Sequence, residues 1–303
     1  MRVRLKDAEI VLAELLELAP SGVEEVGIGE EMVEYAVYGA PGELPVMPAL
    51  QAAAGDSLIE VSSTEIPDDW SERWKRFHRP VLIESPRGVP ALYVRPPWEA
   101  PSDREDVKEI VIDPGQAFGT GAHATTRLCL ELLLELAGLE GDPGPLLDIG
   151  TGSGVLAIAA AQLGFAPVLG LDHERESVAA AEQNANANGV AIEVRRFDLR
   201  AQALPWLGAA DGPTEPVVVV ANLLGPLLLD MARGMPCAPS HLLAGGLLRD
   251  QADEVVRAFG ERLGLRERER RVSGEWAAVW LTNALPDQDG WSEISVAART
   301  IER

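Results

Sequence analysis

A short segment in the middle of the chain places three glycines at alternate positions, between an apolar run and a run of small residues. The segment Pro145-Leu-Leu-Asp148-Ile-Gly150-Thr-Gly152-Ser-Gly154-Val-Leu-Ala has the order of a strand, a tight turn and a helix. Glycine is needed where the backbone turns tightly, or where a ligand must approach it without meeting a Cβ. The next apolar run, residues 168–171, ends in Asp172. The pattern predicts a βαβ unit with a ligand-binding turn and a carboxylate placed for a ribose.

Two ligands fit a turn of this kind. A dinucleotide fingerprint, G-x-G-x-x-G, requires its third glycine at position 155, where this chain has Val155. S-adenosylmethionine carries no phosphate and requires only close backbone approach at its amino-acid end. The spacing G-x-G-x-G therefore favours S-adenosylmethionine. The expected contacts from this segment are Asp148, Gly150, Gly152, Gly154 and Asp172.

Strands and helices alternate from residue 110 onward, which predicts an α/β fold with a doubly wound, Rossmann-like parallel sheet. Two closing strands, 264–271 and 275–282, are expected to form an antiparallel hairpin. Ligands bind such sheets at the carboxyl ends of the strands. Four polar residues follow predicted strands and should meet at this rim: Asp148, Asp172, Asp198 and Asn222.

The chain is expected to divide into four parts. Residues 1–65 have the order β-α-β-β-α-β of a small α+β, ferredoxin-like domain. Residues 66–109 are expected to form a linker helix, with Trp70, Trp74 and Phe77 on one face, and then a proline-rich connector with two short strands. Residues 110–283 form the sheet domain, and residues 284–303 are expected to lie beyond the sheet with no assigned role.

Composition restricts the partners and the location. The 26 basic and 48 acidic residues give a formal charge of −22, which opposes direct nucleic-acid binding and favours a basic partner. The mixed charges of residues 262–271 are expected to form a solvated face. No apolar run is long enough for a membrane span and no signal-peptide pattern opens the sequence, so a cytoplasmic protein is expected. Cys129 and Cys237 are expected to be buried apolar residues rather than a metal or disulfide site.

The loop of residues 113–126 precedes a leucine-rich helix and carries Phe118 and His123. Thr125 or Thr126 is expected to cap that helix, whose N-terminus suits the carboxylate of the cofactor. His123 is open to two interpretations, a proton relay and a structural role. No metal ligand set is predicted.

Asn222 ends a buried strand and is followed by Leu-Leu-Gly-Pro. Amine methylases carry an Asn/Asp/Ser-Pro-Pro-aromatic tetrapeptide at this place, and its aromatic residue stacks on a planar base. Because that aromatic is missing here, an aliphatic amine is a better substrate than a flipped nucleobase. A helix cap is the structural alternative for Asn222.

The runs DDWSERWKRFHRPV, DPGQAFGTGAHATT, LLDIGTGSGVLAIAA and VVVANLLGPL, in this order, closely resemble the bacterial PrmA family. Its members methylate ribosomal protein L11, a large-subunit protein. The resemblance implies an S-adenosylmethionine-dependent methyltransferase that acts on lysine ε-amines and the N-terminal α-amine, with the N-terminal module recognising the substrate. It also implies cofactor contacts at Thr126, Gly150, Asp172 and Asn222, with Phe118 near the methyl group.

Other functions remain open at this stage. A relative that methylates lysine in another protein would share the catalytic half. An RNA methyltransferase, a nicotinamide-dependent oxidoreductase and a non-catalytic cofactor-binding module are weaker alternatives.

Overall fold

The chain forms two compact units, Met1–Ser71 and Glu72–Arg303. The computed structural model describes residues 1–7, 11, 15, 24–28, 32–37, 47–62, 78–85, 88–114, 123–139, 143–206, 217–283 and 299–300. The predicted aromatic helix with Trp70, Trp74 and Phe77 lies outside these residues, as does Phe118.

The smaller unit contains a four-stranded antiparallel sheet and a helix. Its elements are β1 (Arg2–Arg4), β2 (Glu24–Ile28), β3 (Met32–Ala36), α1 (Met47–Ala54) and β4 (Leu58–Glu60), and the strand order is β2-β3-β1-β4. Val3 is buried between two exposed arginines, which is the alternation expected of a strand with one face on the core. The core residues of this unit are Val3, Val11, Leu15, Val33, Tyr35 and Ala54.

The larger unit begins with a three-stranded sheet. Its strands are β5 (Val81–Ile83), β6 (Ala91–Arg95) and β7 (Val107–Val111), with β5 antiparallel and β7 parallel to β6. The sequence predicts only two short strands in this region. Strand β7 is the additional one, and two of its five residues are charged, which weakens its strand pattern. Leu92, Val94 and Ile110 pack in the main core, so this segment is part of the body of the unit.

The second sheet of this unit has eight strands. Helix α2 (Ala124–Leu139) precedes its first strand. The strands and the helices between them then follow in the order β8 (Leu146–Ile149), α3 (Val155–Gln162), β9 (Val168–Asp172), α4 (Arg175–Ala187), β10 (Glu193–Arg196) and β11 (Val218–Asn222). The later ones are α5 (Gly225–Gly234), β12 (His241–Leu248), α6 (Ala252–Leu263), β13 (Arg266–Ser273), β14 (Trp276–Thr282) and β15 (Arg299–Thr300).

The strand order is β10-β9-β8-β11-β12-β14-β13-β15. The first five strands are parallel, and β14 is antiparallel to both β12 and β13. The predicted α/β fold with a closing hairpin is therefore confirmed, as a mixed sheet. The order reverses beside β8, which lies between β9 and β11, and such a switch point opens a crevice at the carboxyl ends of the strands.

One prediction about the C-terminal tail was wrong. Arg299–Thr300 pairs parallel with β13 at Arg271 and Val272, so these two residues belong to the sheet. A strand of two residues has no readable periodicity, and its partner edge is visible only in the folded chain.

Buried apolar residues lie on both faces of the large sheet. One cluster joins α2 and α3 to the sheet, and the other joins α5 and α6 to the opposite face. Strands β8 and β9 are covered on both faces, so all of their residues are buried, and they are apolar except for Asp148 and Asp172. None of the helices in the described part of the chain combines the length and hydrophobicity of a membrane span.

Two further sequence predictions need correction. Cys129 is buried, but Cys237 is exposed in the loop after α5. The charges of residues 262–271 form a solvated face only in part: Arg262 and Arg266 are exposed, whereas Arg271 is only 12% exposed and pairs with Glu131 at 3.2 Å and Glu135 at 2.9 Å. These partners lie about 140 residues away on α2, beyond the reach of a local charge pattern.

Candidate functional site

The glycine turn connects β8 to α3, as the sequence predicts. Gly150, Gly152 and Gly154 have φ values of 75°, 54° and 84°, in the left-handed region that favours glycine. A Cβ on Gly150 would overlap the side chain of Leu223. The backbone conformation therefore favours glycine at all three positions, and close packing adds a second reason at Gly150.

Most amides of this turn are bonded within the protein. The N–H groups of Gly150 and Thr151 donate to the carbonyl of Leu171, and that of Gly154 donates to the carbonyl of Thr151. The N–H of Gly152 donates to Asp172 Oδ2 at 2.9 Å. Because these donors are already used, the turn does not offer a phosphate the cradle of free amides that it needs. The geometry agrees with a cofactor without phosphate.

Asp148 lies beneath the turn and is fully buried. Its Oδ2 accepts hydrogen bonds from Thr151 Oγ1 at 2.7 Å and from the N–H of Ala157 at 3.2 Å. Its Oδ1 has no hydrogen-bond partner among the described residues. The pKa of Asp148 is raised to about 7, chiefly by burial and in small part by the nearby charge of Asp172, while its two hydrogen bonds act in the opposite direction. Asp148 thus supports the turn from below.

Asp172 and Asp198 lie along one wall of a cavity. Asp172 ends β9 and is 9% exposed, and its Oδ1 also accepts a hydrogen bond from the N–H of Glu174 at 3.1 Å. Each carboxylate oxygen has room for a second donor, such as a ribose hydroxyl. Asp198 lies two residues after β10, is exposed, and accepts from the N–H of Arg200.

Asn222 is the last residue of β11 and faces the start of α2. Its Nδ2 donates to Thr126 Oγ1 at 3.3 Å, and its Oδ1 is buried without a hydrogen-bond partner among the described residues. A buried oxygen without a donor is unfavourable unless a ligand supplies one. Thr126 itself is fully buried, so this pair is held firmly within the site.

His123 lies directly before α2. Its carbonyl accepts the N–H of Arg127, its Nδ1 is 2.9 Å from Thr125 Oγ1, and its ring meets Trp276 edge-on at 5.1 Å. The expectation that Thr125 or Thr126 caps this helix was wrong, because α2 begins at Ala124 and both threonines lie in its first turn. His123 takes the capping position instead.

The cavity holds about 620 Å³, a size suited to a small-molecule cofactor. Six of the predicted site residues line it: Thr126, Gly150, Gly152, Asp172, Asp198 and Asn222. Asp148 lies below the turn, Gly154 is the N-cap of α3, and neither these two residues nor His123 are among the lining residues. Apolar side chains, including Leu171, Phe197 and Leu199, complete the wall.

These features fit S-adenosylmethionine. The apolar wall suits a planar base, Asp172 suits a ribose, and a turn whose amides are mostly bonded within the protein suits a ligand without phosphate. The unpartnered oxygen of Asn222 suits a group that carries N–H donors. When bound, the cofactor would supply an electrophilic methyl group.

Sequence reasoning missed two glycines beside Asn222. A Cβ on Gly245 would overlap Cys129 Sγ and lie 3.1 Å from Asn222 Oδ1, and one on Gly246 would overlap the backbone of Leu223. Gly246 has a φ of 77°, and the register of β12 against β14 shifts between Ala244 and Leu247. A glycine pair within a strand is the sequence signal for such a bulge.

The fold and this cavity define the class of S-adenosylmethionine-dependent methyltransferases. Residues 41–284 match the family model described as ribosomal protein L11 methyltransferase (PrmA). The chain belongs to this family.

Individual relatives agree with that result. The chain is 40% identical over 233 residues to a ribosomal protein L11 methyltransferase of Syntrophotalea carbinolica, covering 73% of this chain and 70% of the relative. It is 36% identical over 218 residues to the protein of that name from Heliobacterium modesticaldum, covering 70% of this chain and 63% of the relative. The crystal structure of ribosomal protein L11 methylase from Lactobacillus delbrueckii subsp. bulgaricus matches with a TM-score of 0.53 and 32% identity, over 66% of this chain and 97% of that one.

Proposed function

We propose that this protein transfers methyl groups from S-adenosylmethionine to amines of ribosomal protein L11, on lysine side chains, the N-terminus or both. The observation that carries the proposal is the buried Oδ1 of Asn222, which lies at the rim of a cavity that fits the cofactor and has no hydrogen-bond partner among the described residues. Membership of the family and the names of the relatives supply the substrate. A lysine in another protein is the second candidate.

The reaction requires a neutral amine. A lysine ε-amine with a pKa of about 10.4 is deprotonated in only about 1 in 2,500 molecules at pH 7, which costs about 4.6 kcal/mol. An amide oxygen accepts one N–H of a neutral amine and orients its lone pair, without the charge that would favour the ammonium form. Asn222 is suited to this role because Thr126 Oγ1 holds its amide nitrogen. Methyl transfer then gains chiefly from positioning.

The remaining site residues enter the proposal in separate roles. Asp172 would hold the ribose, Asp198 the adenine end, and the glycine turn above Asp148 the amino-acid end. On the family resemblance, Phe118 would line the methyl-transfer end and His123 would act nearby, as a proton relay or as the helix cap described above.

The smaller unit is proposed to recognise the substrate through charge. Residues 1–71 contain three basic and fifteen acidic residues. Arg2, one of the three basic residues, is already paired with Glu34 at 3.0 Å and Glu60 at 2.9 Å. A basic ribosomal protein suits such a surface better than a nucleic acid. The order β2-β3-β1-β4 supports a ferredoxin-like topology for this unit.

The proposed recognition domain consists of residues 1–65. Residues 66–109 form the proposed linker region, and residues 110–283 the proposed methyltransferase domain. A cytoplasmic location, where ribosomal proteins are made, completes the proposal.

The direct test is methylation of L11 in vitro. Purified protein, L11 from the same source and isotope-labelled S-adenosylmethionine are incubated, and mass spectrometry locates the label. We expect label on amines of L11. Binding of S-adenosylmethionine in a titration without any labelled L11 would refute the substrate and move the search to other proteins. A labelled RNA with salt-dependent affinity would refute the protein substrate as a class.

Three variants test the role of Asn222, two of them a matched pair at Thr126. Asn222→Ala should lower kcat at least tenfold while most of the cofactor affinity remains. Thr126→Val removes the hydroxyl that holds the Asn222 amide and should lower kcat less, whereas Thr126→Ser keeps that hydroxyl and should stay near the wild-type rate. Equal rates for the Val and Ser variants would contradict the proposed orientation of Asn222.

Recognition of L11 by charge is tested through the salt dependence of KM. Raising the salt concentration should raise KM for L11 and leave KM for S-adenosylmethionine nearly unchanged, because screening weakens exposed charge pairs most. A salt-independent KM for L11 would contradict recognition by the acidic unit.

A further inference from the structure

Asn184 of helix α4 and Asn188, the residue directly after its end, lie one turn apart and bond to the backbone at the end of β7. Asn188 Oδ1 accepts the N–H of Val111 at 2.8 Å, and its Nδ2 donates to the carbonyl of Val111 at 2.7 Å. Asn184 Oδ1 accepts the N–H of Asp113 at 3.0 Å. Positions 111 and 113 alternate along the chain and so present their backbone groups on the same side. Side-chain amides of α4 therefore take the place of a neighbouring strand at this edge.

Asn184 makes a second hydrogen bond that Asn188 does not share. Its Nδ2 donates to the carbonyl of Ser153 at 2.8 Å, and Ser153 is a fully buried residue of the glycine turn. Asn184 is only 3% exposed. The second donor bond of Asn188 goes to the carbonyl of Asn184, within the helix.

Helix α4 also packs directly on the turn. A Cβ on Gly154 would lie 3.1 Å from the Cα and Cβ of Ala181, one turn before Asn184. The helix is thus a fixed support for the glycine turn. Asn184 extends that support to Asp113, the residue at which the loop of residues 113–126 begins.

We propose that Asn184 is a positioning residue that holds the start of the 113–126 loop in a fixed place relative to the glycine turn. The inference rests on the proposed methyl transfer, because it assigns the turn to the cofactor and the loop to the methyl-transfer end. Asparagine suits the position because one short side chain supplies a donor to Ser153 and an acceptor to Asp113. Under this proposal, neither S-adenosylmethionine nor the amine substrate contacts Asn184.

Isosteric substitution separates the two hydrogen bonds. Asn184→Asp keeps an acceptor for the N–H of Asp113 but loses the donor, and it sets a carboxylate oxygen against the carbonyl of Ser153. Asn184→Ala loses both bonds. Asn188→Ala is the matched control, because it loses the bonds to Val111 on the same helix face and leaves the bond to the glycine turn intact.

The experiment measures cofactor binding and amide exchange on the full-length variants. Titration calorimetry with S-adenosylmethionine should show affinity reduced about tenfold for Asn184→Asp, the size of one lost buried hydrogen bond, and within twofold of wild type for Asn188→Ala. Hydrogen–deuterium exchange should show the amide of Asp113 protected in Asn184→Asp and unprotected in Asn184→Ala. The amide of Val111 should lose protection only in Asn188→Ala.

Kinetics add a readout that a purely structural role would not change. Asn184→Ala should raise KM for S-adenosylmethionine and also lower kcat at saturating cofactor. A role in stability alone would lower the active fraction, and so kcat, with KM unchanged. Equal cofactor affinities for Asn184→Asp and Asn188→Ala would overturn the inference. Binding and exchange need no methyl acceptor, so a failure of L11 as substrate would leave these two results readable.

Discussion

The buried carboxyl of Asp148 should make the stability of the larger unit depend on pH. Burial raises its pKa to about 7, from the value of 3.8 usual for an aspartate. Between these values the folded protein keeps a proton that the unfolded chain has released. Stability therefore falls as pH rises from about 4 to about 7, and it levels off above that.

The size of this loss of stability follows from the pKa shift of Asp148. Each pKa unit corresponds to about 1.36 kcal/mol, so the shift corresponds to about 4 kcal/mol at full ionisation. Between pH 5 and pH 8 the expected loss from this one group is about 2–3 kcal/mol. Thr151 and Ala157 offset part of the cost of burial through their hydrogen bonds to Oδ2, and that contribution is already contained in the raised pKa.

Asp148→Asn is the test variant, because it has the same shape and stays neutral. Urea unfolding at pH 5, 6, 7 and 8, followed by tryptophan fluorescence, should show the variant gaining about 2–3 kcal/mol relative to wild type across this range. Groups that titrate equally in both proteins cancel in the difference. Asp198→Asn, at an exposed carboxylate on the same cavity, should leave the pH slope unchanged. Parallel curves for wild type and Asp148→Asn would refute the reasoning.

Three further predictions concern single residues. Asp172→Ala should weaken cofactor binding by about 1–3 kcal/mol in a titration, because it removes a charge-assisted ribose contact and the anchor of Gly152, and an unchanged affinity would contradict that role. Gly150→Ala should lower both cofactor affinity and melting temperature, because its φ is 75° and the new Cβ would overlap Leu223; a wild-type melting curve would count against this packing. Arg271→Met should destabilise the larger unit by about 3 kcal/mol in urea unfolding, because it leaves Glu131 buried without this partner, and a change below about 0.5 kcal/mol would show that the pair is not coupled.

Local sequence was sufficient for the centre of the site. The alternate glycines and the acids that end β8 and β9 are read directly from the chain, because tight turns and strand ends are specified by neighbouring residues. The rim that brings Asp172, Asp198 and Asn222 together followed from strand alternation, since parallel strands place their carboxyl ends on one side.

Other features depend on residues that are distant in sequence. The bond from Asn184 to Asp113 spans 71 positions, and that from Arg271 to Glu131 spans 140. Strand β15 and the exposure of Cys237 also depend on where remote segments pack.

The sequence alone determined the α/β class, the glycine turn and its cofactor, because each is specified by patterns within a few dozen residues. Tertiary structure alone decided which turn amides are already bonded, that Asp148 is buried beneath the turn, and that the Asn222 oxygen has no donor among the described residues. These properties depend on burial and hydrogen-bond geometry, which arise only when separate strands and helices pack together.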